Sequence, residues 1–228
     1  MEKKNYDIRR PMTRQLTLPG TDIRIRESGS DGEGSRAITG YAILFDTPSA
    51  PLYRDDEEEI REVIDPAAVT QELLDASDIK FTMYHDRQIL LGRSNKGEGT
   101  LEYFIDEKGV GFNLDLPKSP NGDEALEMVR RGDISGCSFM FSTRYYDRDF
   151  VDREVRNVGD LTLVTYRVKV ITGIHDFTLA ADPAYPDTSV EAREFYLSLR
   201  GDKPEPQDAG EWKEQVAEMR ARSREKIY

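Results

Sequence analysis

This chain is short of the residues that anchor disulfide-rich or metal-centred folds. It has one cysteine, one tryptophan and two histidines among 228 residues. A single cysteine, Cys137, cannot form a disulfide within the chain. With two histidines it cannot complete a zinc set at the usual ligand spacings, so no metal and no cofactor are expected. No apolar run approaches the ~20 residues of a membrane helix, so no membrane partner is expected. Residues 1–7 carry charge but lead into no apolar stretch, which argues against a secretory signal. Positive charge is also scarce: 32 Lys and Arg stand against 44 Asp and Glu, a net charge of −12. Such a surface repels a phosphate backbone, so nucleic acid is not an expected partner. The expectation is a soluble protein of a reducing cytoplasm.

What is present reads as a β-rich body with polar ends. Hydrophobic residues make up 37% and charged residues 33% of the chain, the balance of an ordinary core flanked by solvated termini. Residues 1–20 mix charge with Pro11 and Pro19-Gly20 and read as a flexible N-terminal arm. Residues 21–200 form the body. Residues 201–228 form a charged C-terminal tail, partly helical from the spacing of Trp212, Val216 and Met219, set off by a linker with Pro204 and Pro206. Residues 28–35, rich in Gly and Ser, read as a flexible turn.

Within the body, 38–45, 79–84, 136–143 and 161–170 carry strand patterns. Residues 101–105 and 110–116, joined by Asp106-Glu107-Lys108-Gly109, read as a hairpin. Two helices interrupt them. One starts at Asp65-Pro66, an N-cap with proline at the first helical position, and carries Val69 and Leu73 on one face. The other starts near Asn121 and ends at Arg130-Arg131-Gly132, basic residues in the last turn and glycine just after. The fold class is α+β, mostly β.

Three segments carry chemistry. His85 ends the run 79–84, and in a continuous strand it would extend the apolar face of Ile79, Phe81 and Met83. Asp86 beside it could adjust its charge. Ser138 leaves the apolar row of Cys137, Phe139 and Phe141, so it can face a cleft. Cys137 itself reads as small core filler, and Ser135 has the opposite parity to Ser138. Asp176 and its neighbour His175 precede a further strand, 177–180. A histidine, a serine and a carboxylate are the parts of a serine hydrolase, whatever their chain order. Each also has a plain structural reading: a rim histidine on a carbonyl, a serine bonded to local backbone, an exposed turn. Spacing does not choose between them.

The motifs taken together do more. They are Gly40-Tyr41-Ala42 with Phe45, Arg61-Glu62-Val63-Ile64-Asp65-Pro66-Ala67-Ala68, His85-Asp86, and Leu91-Gly92-Arg93. Arg130-Arg131-Gly132-Asp133-Ile134-Ser135 with Ser138-Phe139 follows, then Pro183-Ala184-Tyr185-Pro186-Asp187-Thr188-Ser189-Val190. In this order, over residues 38–193, they resemble the prohead (procapsid maturation) serine proteases of tailed bacteriophages. That family is related in fold to the herpesvirus assembly protease.

The resemblance implies a small closed or nearly closed β barrel flanked by helices. It implies His85 as base, Ser138 as nucleophile, and Asp176, seven positions before Pro183, as the third member. Many relatives carry Glu there, one methylene longer, and His175 leaves a Ser-His-His arrangement open. Backbone N–H groups, not identified by the sequence, would hold the oxyanion. The Leu-Gly-Arg stretch looks structural or substrate-adjacent. The implied activity is a serine endopeptidase acting on scaffold protein and major capsid protein, inside the assembling procapsid in the host cytoplasm. Self-cleavage in the tails and a homodimer stay open. The alternatives are a non-catalytic assembly or scaffold-binding factor with the same fold, and a β-barrel binding domain with a fortuitous His, Ser and Asp.

Overall fold

A computed structural model describes residues 10–26, 35–181, 195–196 and 198–199. The chain divides into two compact units, Met1–Thr188 and Ser189–Tyr228. Of the second, the four described residues are helical, and the description below concerns the first. The linker at 28–34, the motif at 183–190 and the tail at 201–228 lie outside the described residues.

The described part is mostly β. In chain order the strands are β1 (Met12–Thr17), β2 (Arg24–Ile25), β3 (Ala37–Leu44), β4 (Tyr53–Arg54), β5 (Glu58–Ile64), β6 (Asp78–Met83) and β7 (Asp86–Asn95). They continue with β8 (Glu98–Gly99), β9 (Leu101–Ile105), β10 (Gly109–Asp115), β11 (Gly136–Thr143), β12 (Val151–Val158), β13 (Leu161–Val168) and β14 (Gly173–Ala180). Helix α1 (Gln71–Ala76) lies between β5 and β6, and α2 (Pro120–Arg131) between β10 and β11. A six-stranded sheet has the order β1-β11-β14-β6-β7-β8, and two four-stranded sheets have the orders β2-β3-β10-β9 and β12-β13-β5-β4. The pairs β14–β6 and β13–β5 are parallel.

The core follows period-two alternation. On β6, Ile79, Phe81 and Met83 are buried on one face. Phe81 meets Phe112 of β10 with ring centroids 4.7 Å apart, joining the six-stranded sheet to its neighbour. Phe139 and Phe141 of β11 stack on the same side, 5.2 Å apart. At Gly92 the two sheets come so close that a Cβ would lie 2.4 Å from Leu114 Cδ1. Leu91 is buried beside it, and Arg93 grips Asp78 through Nε at 2.6 Å and Nη2 at 2.8 Å. The Leu-Gly-Arg stretch is therefore packing plus an ion pair. Arg93, and after it Lys80, hold the Asp78 carboxyl well below the usual carboxylate range.

Four expectations need correction. Among the described residues no sheet closes into a barrel; the sheets end on β1 and β8, β2 and β9, and β12 and β4. A barrel needs an unbroken ladder around its circumference. Between the sheets of β3 and β5 the described residues form one isolated bridge, Phe45 to Ile64.

The N-terminal arm is not loose where it is described. Met12–Thr17 pairs antiparallel with β11 over six residues, because Leu16 and Leu18 alternate into the core and are fully buried.

The helix expected from Asp65-Pro66 is two pieces. Asp65 caps a 3-10 turn, Pro66–Ala68, accepting from the Ala67 amide. The chain then becomes extended at Val69, and Thr70 caps α1, accepting from the Leu73 amide at 3.2 Å. β-branched Val69 and Thr70 favour that break.

The strand ending in His85 stops at Met83, and Tyr84 and His85 form a turn. Helix α2 matches its expected end: Gly132 adopts φ 78° and the Asp133 amide returns to the Met128 carbonyl, which satisfies the last carbonyls.

Candidate active site

Three neighbouring strands of the six-stranded sheet build the site. Ser138 on β11 lies opposite Thr178 on β14. Thr178 lies opposite Thr82 on β6. Cross-strand partners share a face, so these three hydroxyls form a row. Asp176, two residues earlier on β14, lies on the same face. All four residues are buried, Asp176 to 4% exposure and Ser138 to 1%.

His85 reaches the row from a turn. Met83 pairs with Asp86, so Tyr84 and His85 are a two-residue hairpin connection. Their φ values, 53° and 57°, are the left-handed pair that matches strand twist in such turns. The conformation costs a non-glycine residue about 1 kcal/mol. Two contacts to β14 hold it: the Tyr84 amide donates to the Leu179 carbonyl at 3.0 Å, and the His85 amide to Thr178 Oγ1 at 2.9 Å.

The side chains of His85, Ser138 and Asp176 converge. His85 Nδ1 is 2.6 Å from Asp176 Oδ1, and His85 Nε2 is 2.9 Å from Ser138 Oγ. An ionised carboxylate only accepts, so Nδ1 carries the proton and Nε2 of the neutral ring presents its lone pair to the serine. Ser138 Oγ also lies 3.0 Å from the Leu16 carbonyl oxygen. Its one proton thus has two acceptors, His85 and the backbone of β1. Chemically, the arrangement can remove a proton from a serine hydroxyl and return it to a leaving group.

The other candidates lie elsewhere. The ladder between β11 and β14 slips: Met140 faces Asp176 but Phe141 faces Ile174, leaving His175 as an extra residue. Such a bulge re-aims side chains, and His175 Nε2 bonds Ser142 Oγ at 2.7 Å instead of His85. Burial lowers the His175 pKa from its usual value. Asp86 accepts from the Gln88 amide. Ser135 precedes β11 and gives its carbonyl to the Ile23 amide. Cys137 is fully buried, and burial pushes its thiol up, away from the reactive thiolate. No motif in the sequence marks Thr82 and Thr178; the one signal for them is period-two spacing from Lys80 and Asp176, opposite to the apolar row.

Residues 21–200 match the family described as caudovirus prohead serine protease. β1 lies just outside that span. No curated protein matches the chain. A solved structure, "Structure of the bacteriophage T4 capsid assembly protease, gp21", aligns with a TM-score of 0.38 and 11% identity. The alignment covers 72% of this chain and 98% of that one.

Proposed function

We propose a serine endopeptidase of procapsid maturation: the chain belongs to the caudovirus prohead serine protease family, and His85, Ser138 and Asp176 are its catalytic residues. The observation that carries the assignment is the pair of distances at His85, 2.9 Å to Ser138 Oγ and 2.6 Å to Asp176 Oδ1. Nε2 takes the Ser138 proton as Oγ attacks the peptide carbonyl carbon. The imidazolium then gives that proton to the leaving amine, and the C–N bond breaks. A water, deprotonated by the same Nε2, attacks the acyl carbon; the Oγ–C bond breaks, Nε2 returns the proton to Ser138 Oγ, and the product leaves as a carboxylic acid. Asp176 keeps the proton on Nδ1 and stabilises the transient imidazolium. Backbone N–H groups hold the oxyanion.

The substrates are scaffold protein and major capsid protein, and the site of action is the assembling procapsid in the host cytoplasm. The family supports this reading. Cleavage within the chain's own tails and assembly as a homodimer are parts of the same reading.

The test is a fluorophosphonate probe on the full chain, followed by co-expression with scaffold and capsid protein. Labelling at Ser138, lost in Ser138→Ala, together with cleavage that the same variant lacks, is the expected result. Intact scaffold and capsid with the wild-type chain, in particles that assemble normally, would favour the non-catalytic assembly factor.

A further inference from the structure

We propose that Thr82 and Thr178 are positioning residues that fix the carboxylate and the strained turn of the site through a closed hydrogen-bond ring. The proposal rests on the peptidase reading above. Asp176 Oδ2, the oxygen not facing His85, lies 2.7 Å from Thr82 Oγ1. Thr82 Oγ1 lies 2.9 Å from Thr178 Oγ1, and Thr178 Oγ1 accepts from the His85 amide at 2.9 Å.

Proton counting fixes the directions. The carboxylate has no proton to give, so Thr82 spends its single one on Oδ2. The bond between the threonines must then run from Thr178 to Thr82. Thr178, having donated, accepts from the His85 N–H. The ring is completed by His85 Nδ1–H to Asp176 Oδ1. The backbone and the ring of one histidine are therefore tied to each other through two hydroxyls and one carboxylate.

Two consequences follow. Both carboxylate oxygens are engaged, so the carboxyl plane cannot rotate without breaking a bond in a site where Thr82 and Thr178 are fully buried. An unpaired polar group there is costly, because it has given up water without gaining a partner. The left-handed backbone of His85, φ 57°, is also secured by an amide bond to Thr178. A residue in that region persists only when its surroundings hold it. The threonine hydroxyls hydrogen-bond each other, Asp176 and the His85 amide, and they act through Asp176 and His85. The methyl groups are not the reason for threonine here, because valine would supply them equally.

The test compares Thr82→Val and Thr178→Val, which keep shape and lose the hydroxyl, with Thr82→Ser and Thr178→Ser, which keep the hydroxyl. The full-length chain is used throughout. The first readout is the NMR signal of the His85 Nδ1–H proton and the tautomer reported by its ring nitrogens, which needs no catalysis. The second is fluorophosphonate labelling of Ser138, resolved into a saturation constant and a maximal rate.

The valine variants should lose or broaden the Nδ1–H signal. They should lower the maximal labelling rate by between about 10- and 100-fold, the cost of misplacing a reacting group, with the saturation constant within about twofold. The serine variants should restore both. Serine variants as impaired as valine would assign these positions to packing and overturn the ring, as would valine variants with an unchanged Nδ1–H signal. If a valine variant does not fold, Thr→Cys, close in volume and a weak donor, replaces it in the same comparison with serine. A wild-type chain that never labels would sink the peptidase reading alone, because the Nδ1–H comparison still reports on the ring.

Discussion

His85 and Asp176, 91 positions apart in sequence, stand 2.6 Å apart, and a parallel ladder makes the meeting possible. β6 runs alongside β14 with Lys80 opposite Asp176. His85, beyond the end of β6, would travel away from Asp176 if the strand continued. The left-handed turn at Tyr84 and His85 reverses the chain and brings the imidazole back over β14. The site thus depends on the turn as much as on the strands.

The nucleophile gives the most direct prediction. Ser138→Ala should abolish fluorophosphonate labelling and cleavage of co-expressed scaffold or capsid protein, while the thermal melt stays cooperative. Ser135→Ala and Cys137→Ala should both retain labelling. Cys137 is fully buried, so its alanine variant should instead show a modest loss of stability, on the order of 1 kcal/mol. If Ser135→Ala is the silent enzyme, the assignment is wrong.

The third position separates two arrangements. Asp176→Asn should lower the labelling rate by two to four orders of magnitude, because an amide at that position no longer holds the proton on Nδ1. His175→Ala should label within a few-fold of wild type, since its ring bonds Ser142. The reverse ranking would restore the Ser-His-His arrangement.

The sequence carried much of this site and less of its architecture. Ser138 and Phe139 alternate regularly, so the facing of Ser138 could be read from period two. His85 could not be placed that way. Its strand stops at Met83, and the turn Tyr84-His85 has no Gly or Asn to announce left-handed backbone. It is held by Thr178 and Leu179, residues more than ninety positions away. Asp176 lies two residues before Thr178 and shares its face by period two, while the bulge opposite Met140 and Phe141 turns its neighbour His175 toward Ser142, which no sequence pattern announces. The split between the 3-10 turn and α1 rested on Thr70 as a second cap, a local signal masked by the stronger Asp65-Pro66. The open sheets were not legible, because period-two alternation places residues on a face but does not say which strand pairs with which.

His175 predicts an acid-sensitive contribution to stability. Burial holds its imidazole below the usual value, so the folded state keeps it neutral where the unfolded chain would protonate it. The unfolded His regains a value near 6.5. Above that pH neither state is charged and His175 adds no pH dependence. Below it the unfolded state binds more protons, and stability falls as the pH drops toward the folded value. Urea midpoints between pH 7.5 and about 5 should therefore decline more steeply for wild type than for His175→Gln, which can still accept from Ser142. Parallel curves for the two would remove His175 as a source of the acid limb.

The N-terminal strand gives the last prediction, and here the structure departs most from a reading of residues 1–20 as a flexible arm. β1 is the edge of the six-stranded sheet. It covers β11, the strand that carries Ser138, and inserts Leu16 and Leu18, at 1% and 0% exposure. Burying a leucine side chain contributes about 1.5–3 kcal/mol, so deleting residues 1–18 should destabilise the body by roughly 3–6 kcal/mol. In a domain of this size that is a melting temperature lower by on the order of 10 °C. The deletion also bares an unpaired strand edge, so association at high concentration should increase. One effect should run the other way. The Leu16 carbonyl lies 3.0 Å from Ser138 Oγ and competes with His85 for its proton, and its strand shields the hydroxyl. At a temperature where both chains are folded, the truncated chain should therefore label with fluorophosphonate faster than the full chain. The double variant Leu16→Ala, Leu18→Ala separates the two effects. It loses the same burial but keeps the backbone carbonyl, so it should be destabilised without matching the gain in labelling. A melt unchanged by the deletion would show that β1 contributes nothing to the fold, and labelling no faster would show that it leaves Ser138 equally accessible.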